Sequence, residues 1–341
     1  MTHTVTIEPS GHQFECASGE TVLDAALRQG LTLPYGCRNG ACGACLGEIV
    51  SGRVRYEGRN RSALSEADEA AGKALFCQAV PESDLVIRAR EIERPAEIEV
   101  KRLPARVERM TRLADDVMEL GLKIPESERL AFLPGQYIDI LLREGGARAF
   151  SLANPPHRDE LLELHIRHVP GGRFTDFVFN EMQPGALLRI EGPKGSFHLD
   201  DSSERPVILV AGGTGFAPMQ AMLEHAIEDG DPRTFHLFWG ARDRAGLYRD
   251  DLARQWAGTH ENIHYHPVLS EPPASDDWQG ETGLVHEAVL RRFPDLAGHE
   301  VYVAGPPAMV EAARTHFLEH GLPKDQLHFD SFEFSAAKAG A

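Results

Sequence analysis

Residues 36–45 read Gly36-Cys37-Arg38-Asn39-Gly40-Ala41-Cys42-Gly43-Ala44-Cys45, and a further cysteine follows at Cys77. The cysteines therefore have the spacing Cys-x4-Cys-x2-Cys, then a long gap, then Cys. The residues between them are mostly glycine and alanine. Glycine permits positive φ and close backbone approach, and alanine adds almost no bulk. A loop of this composition can wrap tightly around a bulky group and point its N–H groups at anionic sulfur ligands.

This spacing is that of the ligands of a plant-type [2Fe–2S] cluster, so we predict that Cys37, Cys42, Cys45 and Cys77 hold one. A structural zinc site is the alternative, because Cys42-x2-Cys45 alone would suit it. Zinc sites usually combine two short-spaced pairs, however, and Cys77 has no close cysteine or histidine partner. A disulfide framework is disfavoured in a long chain without a secretory signal. The fifth cysteine, Cys16, is predicted to be a small buried hydrophobic residue.

Length and charge limit the possible classes of protein. The chain has 341 residues, enough for two or three domains, and a net charge of −17. Such an acidic chain is not expected to bind nucleic acid or an anionic membrane. Its start has no basic and apolar leader pattern, and the longest apolar run, residues 206–211, is too short to span a bilayer. We therefore expect a cytoplasmic protein.

Residues 1–91 show the pattern of a small β-rich domain. Alternating apolar residues around the turn Pro9-Ser10-Gly11 predict a β-hairpin, and a short helix over residues 22–27 should follow. The cysteine loop comes next, then a predicted strand over residues 46–51 and a helix start at Ser65. This order resembles the β-grasp fold of plant-type ferredoxins.

Three more segments complete the predicted multidomain architecture. Residues 92–102 are polar and contain Pro95, which predicts an interdomain linker. Residues 103–202 contain short β runs with Pro/Gly turns, the pattern of an antiparallel β-barrel. In residues 203–341, apolar strands alternate with helices, which predicts an α/β domain with a parallel sheet.

The barrel segment contains the tetrapeptide Arg148-Ala149-Phe150-Ser151. On a strand, Arg148 and Phe150 share a face, where a guanidinium can pair with phosphate and an aromatic ring can lie on a flat heterocycle. Further on, Gly171-Gly172 precedes a helix predicted to begin near Thr175, where free N–H groups would face a pyrophosphate. Together these motifs resemble the FAD domain of the ferredoxin–NADP⁺ reductase superfamily, whose flavin strand reads Arg-x-Tyr/Phe-Ser.

By that resemblance, Arg148 binds phosphate, Phe150 stacks on the isoalloxazine, and Ser151 is a catalytic residue near flavin N5. Phe150 replaces the commoner tyrosine and so lacks a hydroxyl that usually bonds the cofactor. The Gly-Gly-x-x-Thr segment favours FAD over FMN. The other residues that the resemblance places around FAD are His165, Ile166, Arg167, Gly171, Gly172 and Thr175.

In the last segment, a strand over residues 207–210 runs into Ala211-Gly212-Gly213-Thr214-Gly215-Phe216-Ala217-Pro218 and then a helix. A strand, a glycine loop and a helix place backbone N–H groups and a helix dipole at a phosphate. The loop resembles the superfamily signature Gly-Gly-Thr-Gly-x-x-Pro. The resemblance implies that Gly212, Gly213, Thr214 and Gly215 bind a nicotinamide nucleotide, with Thr214 a catalytic residue between flavin and nicotinamide.

The second strand of this segment ends in Gly240-Ala241-Arg242-Asp243-Arg244, where the adenosine ribose should lie. Asp243 would accept from a free 2′-hydroxyl and repel a 2′-phosphate, whereas Arg242 or Arg244 would attract a phosphate. We therefore predict NADH as the nucleotide, with NADPH as the alternative.

Two later motifs complete the resemblance. Ala304-Gly305-Pro306-Pro307-Ala308-Met309 is similar to the family's Cys-Gly-Pro-Pro-x-Met, which implies that Gly305, Pro306 and Met309 bind nucleotide. Ala304 replaces the cysteine that commonly lies against the nicotinamide. Near the C-terminus, Phe332-Glu333-Phe334 matches a segment from which an aromatic and an acidic residue approach the flavin. This implies a catalytic Glu333 and a cofactor contact from Phe334, although both phenylalanines equally suit a strand core.

The full chain resembles the three-domain, NAD(P)H-dependent iron–sulfur flavoprotein reductases that serve bacterial oxygenases and CDP-6-deoxy-3,4-glucoseen reduction. The resemblance implies that electrons pass from NADH through FAD to the cluster and on to a partner oxygenase or deoxysugar dehydrase. A flavin or ferric reductase that releases a small reduced acceptor is the alternative. A redox sensor is disfavoured, because no DNA-binding or signalling segment is visible. We expect a monomer, and we predict that Arg38 on the cluster loop contributes to partner docking.

Overall fold

The structure is a computed structural model that describes residues 2–56, 58–92, 98–273 and 277–333. The described residues divide into two compact units. The first contains the residues up to 92 together with Gly195–Phe197, and the second contains the residues from 98 to 194 and from 198 onward. Part of the predicted linker, residues 93–97, lies outside the described residues.

The first unit is built on a five-stranded mixed sheet with the order β2-β1-β7-β3-β5. Its elements are β1 (His3–Glu8), β2 (Gln13–Cys16), α1 (Val22–Arg28), β3 (Leu46–Ser51), β4 (Val54–Arg55), α2 (Glu66–Ala70), β5 (Lys73–Leu75), β6 (Val80–Pro81) and β7 (Leu85–Arg88). Strand β1 pairs antiparallel with β2 and parallel with β7. The predicted hairpin and the β-grasp fold are confirmed.

Local sequence signals account for the two helices of this unit. The hydroxyl of Thr21 accepts from the backbone N–H of Asp24 at 3.1 Å and caps α1. Ser65 caps α2 in the same way, accepting from the Asp68 N–H at 3.0 Å, as its sequence pattern predicts. Helix α1 buries its apolar face in the core, where Cys16 is also fully buried, as predicted.

The second unit begins with a six-stranded antiparallel sheet whose order is β11-β10-β13-β8-β9-β12. Its elements are β8 (Lys101–Ala114), β9 (Val117–Lys123), β10 (Tyr137–Leu141), β11 (Ala147–Ser151), β12 (Leu162–Arg167), α3 (Arg173–Asn180) and β13 (Leu187–Lys194). An antiparallel bridge between Leu152 and Leu164 joins the two edge strands and closes the barrel. Strand β8 already begins at Lys101, inside the segment predicted as linker, because Lys101 and Arg102 pair with β13.

A six-stranded parallel sheet with the order β17-β16-β15-β14-β18-β19 follows in the same unit. Its elements are β14 (Val207–Gly212), α4 (Phe216–Asp229), β15 (Phe235–Ala241), α5 (Asp250–Thr259), β16 (Ile263–Leu269), β17 (Glu281–Thr282), α6 (Val285–Arg292), β18 (Glu300–Gly305), α7 (Pro307–Glu319) and β19 (Leu327–Ser331). The adjacent strands β14 and β18 are buried along their whole length. The order of the parallel strands reverses between them, so ligands are expected at their carboxyl ends.

The described residues contain no helix that is both long enough and apolar enough to cross a lipid bilayer.

Candidate functional site

The four predicted cluster ligands lie together in the first unit as two facing pairs. In one pair, the Cys37 N–H donates to Cys42 Sγ at 3.4 Å and the Cys42 N–H donates to Cys37 Sγ at 3.3 Å. In the other pair, the side chains of Cys45 and Cys77, both free cysteines, share a hydrogen bond. Cys37 is partly exposed, and the other three cysteines are buried.

The backbone of the loop points N–H groups at these sulfurs, as its composition predicts. The bond from Cys42, together with backbone N–H groups that include those of Asn39 and Ala41, lowers the pKa of Cys37 to about 6. The hydrogen bond with Cys45 lowers the pKa of Cys77, and a hydrogen bond from the Gly40 N–H lowers it further. These bonds therefore favour the thiolate forms of Cys37 and Cys77, whereas the hydrogen bonds with those two residues, together with burial, raise the pKa values of Cys42 and Cys45. Thiolate is the form in which cysteine binds metal.

This geometry fits a two-iron cluster. Among the described residues, no three His, Cys, Asp or Glu side chains lie together in a way that could hold a metal ion. The two pairs of cysteine sulfurs would provide one pair of ligands for each iron of a [2Fe–2S] group.

Close contacts explain the residue types in the loop. A Cβ on Gly40, whose φ is +79°, would lie 2.0 Å from the carbonyl oxygen of Asn60. Arg38 has a φ of 55°, and its guanidinium donates to the Asp24 carboxylate at 2.6 Å. The side chain proposed for docking is thus anchored to α1, with about a third of it (34%) exposed.

The predicted flavin strand is β11, at the edge of the barrel sheet. Its residues Arg148 and Phe150 are partly buried and point to one face, opposite Ile140 and Ile138 of β10. The ring centroid of Phe150 lies 5.6 Å from that of Phe174 on α3. Ser151 ends the strand and is buried. The structure therefore brings the flavin strand and the helix of the predicted pyrophosphate site together.

Helix α3 begins at Arg173, two residues before the predicted start at Thr175. Gly172 is the N-cap residue, and a Cβ there would lie 2.8 Å from the carbonyl oxygen of Val169. The Thr175 hydroxyl accepts from the Val169 N–H at 3.1 Å and therefore ties the first turn to the preceding loop. Gly171, with a φ of +77°, makes the turn that leads into the helix.

Three consecutive residues of β12 have different surroundings. The His165 ring is buried and contacts the Tyr248 hydroxyl through Nδ1 at 3.0 Å. The Ile166 side chain is fully buried in the barrel core. The Arg167 guanidinium pairs with Asp116, and a Cβ on Gly213 would lie 3.2 Å from its Nη2. The structure thus brings Arg167 to the predicted nucleotide loop, while the other two side chains face packed interior.

The predicted nucleotide loop lies where the parallel strands end. A Cβ on Gly215 would lie 2.0 Å from the carbonyl oxygen of Ala304, and one on Gly212 would lie 2.5 Å from Met309 Sδ and 2.9 Å from Pro306. Gly212–Gly215 and Ala304–Met309, distant in sequence, therefore form one surface at the ends of β14 and β18. Close approach of the two loops explains why glycine occupies positions 212 and 215.

The residues at the end of β15 are exposed. Asp243 accepts from the Gly246 N–H at 3.1 Å and so caps a short turn. The Arg244 guanidinium lies 5.4 Å from the centroid of the Trp278 ring. Arg242 is exposed beside them. Of the three, Asp243 and Arg242 are available to a ribose, whereas Arg244 is held against an indole.

The C-terminal motif is described only in part. Glu333 accepts from the Ser331 hydroxyl at 2.8 Å, just after β19, and Phe332 donates its N–H to the Gly305 carbonyl at 2.9 Å. Phe334 lies outside the described residues. The C-terminal segment is therefore attached to Gly305, at the end of β18.

The chain matches three domain families along its length. These are the 2Fe-2S iron-sulfur cluster binding domain over residues 5–82, the oxidoreductase FAD-binding domain over residues 104–199 and the oxidoreductase NAD-binding domain over residues 209–315. It is 37% identical to the CDP-6-deoxy-L-threo-D-glycero-4-hexulose-3-dehydrase reductase of Yersinia pestis, over 97% of this chain and 99% of that protein. The chain belongs to the family of three-domain iron–sulfur flavoprotein reductases.

Two further relatives show the breadth of this family. The phenol 2-monooxygenase reductase component DmpP of Pseudomonas sp. is 37% identical, over 100% of this chain and 97% of that protein. The crystal structure of the Amycolatopsis reductase GcoB is 33% identical, with a TM-score of 0.78 over 97% of this chain and 98% of that one. These matches confirm the predicted fold class and the predicted cofactors, a [2Fe–2S] cluster, FAD and a nicotinamide nucleotide. The chain is an NAD(P)H-dependent oxidoreductase.

Two groups of residues near the predicted site were missed by the sequence analysis. The first is a set of aromatic side chains behind the nucleotide loop, where Trp239 Nε1 donates to the Gly213 carbonyl at 3.0 Å. The second is a set of charged residues that includes the buried Glu119 on β9 and Arg249 before α5. In the sequence these aromatic and charged residues lie in ordinary strand and loop patterns, so no local signal identifies them. Only the fold brings them together.

Proposed function

We propose that this reductase takes electrons from NADH, passes them through FAD to its [2Fe–2S] cluster and delivers them to a partner oxygenase or dehydrase component. The observation that carries the proposal is the pairing of the four cysteine ligands in a chain that also has FAD-binding and NAD-binding domains. A flavin supplies the step between them, because it takes two electrons from a nicotinamide and releases them singly.

In this proposal, the chain's own residues bind and orient the reactants. Arg148 would pair with flavin phosphate, Phe150 would cover the ring, and the free N–H groups of the α3 turn would hold the pyrophosphate. Ser151 and Thr214 would contact the ring edges where hydride passes. The N–H groups of the Gly212–Gly215 loop would bind the nucleotide phosphates at the start of α4.

The preferred nucleotide in this proposal is NADH. The exposed Asp243 carboxylate at the end of β15 supports it, because it can accept hydrogen bonds from a ribose diol and would repel a 2′-phosphate. Arg244, one of the two arginines that would attract a 2′-phosphate, is held over Trp278 instead. Ala304 in place of the usual cysteine leaves the nicotinamide face without a thiol.

The partner in this proposal is a separate electron-accepting protein in the cytoplasm, and the reductase acts as a monomer. Two named relatives support an oxygenase or a dehydrase component, since they serve a phenol monooxygenase and a CDP-hexulose dehydrase. Asn39 on the cluster loop and the neighbouring Arg59 are exposed and would face such a partner. The Asn60 side chain, next to Arg59, donates to the Asn39 carbonyl at 2.9 Å and so connects the two segments.

An anaerobic titration of the purified holoprotein with NADH, repeated with NADPH, tests the proposal. Bleaching of both flavin and cluster absorption by about 1.5 NADH per chain is expected, since FAD takes two electrons and the cluster takes one. A cluster that stayed oxidised beside a reduced flavin would contradict the relay and favour the alternative flavin or ferric reductase.

A matched variant separates these two functions. Cys45→Ser should abolish electron delivery to a protein acceptor such as cytochrome c while leaving reduction of ferricyanide by the flavin in place. Cys16→Ser is the control, because Cys16 is buried in the core and its Sγ donates to the Glu20 carbonyl at 3.3 Å. Equal cytochrome c reduction by wild type and Cys45→Ser would refute a role for the cluster.

A further inference from the structure

A buried carboxylate lies behind the flavin and nucleotide segments of the second unit. Glu119 on β9 is only 3% exposed, and it pairs with Arg249 from the loop before α5. Arg109 on β8 donates to the same carboxylate at 3.0 Å. A buried carboxylate requires such partners, and here one of them comes from the barrel sheet and the other from the parallel-sheet part of the chain.

His165 extends this connection. It is paired with Glu119 in the register of β9 and β12, and its Nε2 lies 4.0 Å from the Glu119 carboxylate. Burial lowers the pKa of His165 to about 3, so the ring is neutral and carries one proton. Nδ1 shares a hydrogen bond of 3.0 Å with the Tyr248 hydroxyl, whereas the buried Nε2 lies too far from the Glu119 carboxylate to donate to it.

Tyr248 in turn packs against the turn that follows β14. Its ring meets the rings of Phe216 and Trp239 edge-on, with centroids 6.0 Å and 5.1 Å away. Phe216 and Trp239 stack at 3.9 Å, and the Trp239 indole donates to the Gly213 carbonyl at 3.0 Å. The Phe216 N–H bonds to the same carbonyl. One chain of contacts therefore runs from His165 through Tyr248 to the nucleotide loop, and the neighbouring Arg249 joins the same segment to Glu119.

We propose that Glu119, His165, Tyr248 and Arg249 form a clamp that holds the Gly213–Phe216 turn at a fixed distance from β12. Tyr248 and Arg249 are then positioning residues, which set the separation between the nicotinamide carbon and the flavin without touching either. Hydride transfer depends steeply on such a separation, because a productive geometry brings the reacting atoms to roughly 3–3.5 Å. This inference rests on the proposed function, in which Thr214 lies between flavin and nicotinamide and residues of β12 lie around the flavin.

The test compares Tyr248→Phe with Tyr265→Phe in the holoprotein. The first removes the hydroxyl that bonds His165 and keeps the ring. The second removes a hydroxyl that donates to Asp250 at 2.9 Å, at the start of the same helix α5. Hydrogen exchange of the amides from Gly213 to Phe216 should become about fivefold faster in Tyr248→Phe, the change expected for one net hydrogen bond. It should be unchanged in Tyr265→Phe.

Two optical measurements complete the test. In Tyr248→Phe we expect a weaker charge-transfer absorption when NAD⁺ is added to the reduced protein, and flavin reduction by NADH slowed roughly fivefold at saturation. FAD content and the dissociation constant for NADH should match the wild type. Arg249→Lys, which keeps the charge but not the fork of donors, should give the same pattern.

The outcomes separate this proposal from the one on which it rests. If NADH fails to reduce the flavin of the wild type, the proposed function is wrong. If the wild type reacts and Tyr248→Phe equals Tyr265→Phe in exchange and in charge-transfer absorption, the clamp is wrong while the proposed function stands. A loss of FAD in Tyr248→Phe would also overturn the clamp, because it would assign Tyr248 to cofactor binding.

Discussion

Gly40→Ala should cause this protein to lose its cluster, and its effect on the free energy of unfolding has two separate parts. Gly40 has a φ of +79°, a conformation that costs a residue with a Cβ roughly 1–2 kcal/mol. The added Cβ would also lie 2.0 Å from the Asn60 carbonyl oxygen, which must move by about 1.4 Å to reach an ordinary contact of 3.4 Å. The segment that carries Asn60 must therefore leave the loop.

That movement breaks contacts that fix the loop. The Ala63 N–H donates to the Gly40 carbonyl at 3.1 Å, and the Asn60 side chain donates to the Asn39 carbonyl at 2.9 Å. Loss of both adds roughly 2 kcal/mol, so the total destabilisation is about 3–4 kcal/mol. Because the Gly40 N–H also serves the Cys77 sulfur, the ligand geometry changes as well.

Gly30→Ala is the matched control, since Gly30 has a φ of +82° and nothing lies within 4 Å of its would-be Cβ. It should cost only the conformational strain, roughly 1–2 kcal/mol, and keep the cluster. Urea unfolding followed by cluster absorption, with iron counted per chain, measures both effects. A Gly40→Ala protein that kept its iron and lost no more stability than Gly30→Ala would refute the reasoning.

Three further predictions concern the second unit. Gly215→Ala should abolish NAD⁺ binding while FAD and iron contents stay normal, because its Cβ would lie 2.0 Å from the Ala304 carbonyl oxygen; calorimetric binding at wild-type affinity would contradict this. Asp243→Ala should raise the ratio of kcat/KM for NADPH to that for NADH by roughly tenfold, and an unchanged ratio would exclude Asp243 from ribose binding. Burial raises the pKa of Glu224 from 4.5 to about 7, so the native state holds a proton that the unfolded chain releases. Burial here outweighs the opposing effect of the Arg158 guanidinium at 2.6 Å, so the contribution of Glu224 to stability should fall as pH rises from 4.5 to about 7. In melting curves the wild type should lose stability relative to Glu224→Gln across that range.

Much of the fold was predictable because the decisive signals are local. The hairpin turn, the Thr21 and Ser65 caps and the glycine loops each depend on residues within a few positions of one another. Strand β3 has the predicted bounds, residues 46–51. The start of α3 was placed two residues late, because the Thr175 hydroxyl bonds backward to Val169 instead of capping the helix.

The environments of side chains were not predictable in this way. His165 and Ile166 match a flavin-lining motif, yet both side chains face packed interior, because alternation along β12 is resolved only when the neighbouring elements are in place. Arg38 was predicted as a docking residue, and its bond to Asp24 depends on how the loop meets α1. The docking role itself stays a prediction.

Cysteine spacing and glycine placement are constraints written along the chain, so the predicted ligand set, the order of the three domains and the glycine loops all followed from the sequence. The tertiary structure alone decided that the cysteines face each other in pairs, that Gly215 lies against Ala304, and that Glu119 meets Arg249. Apart from the Cys37–Cys42 pair, which is local, these contacts join residues far apart in the chain, and only the packing of sheets and helices selects which of many similar side chains meet.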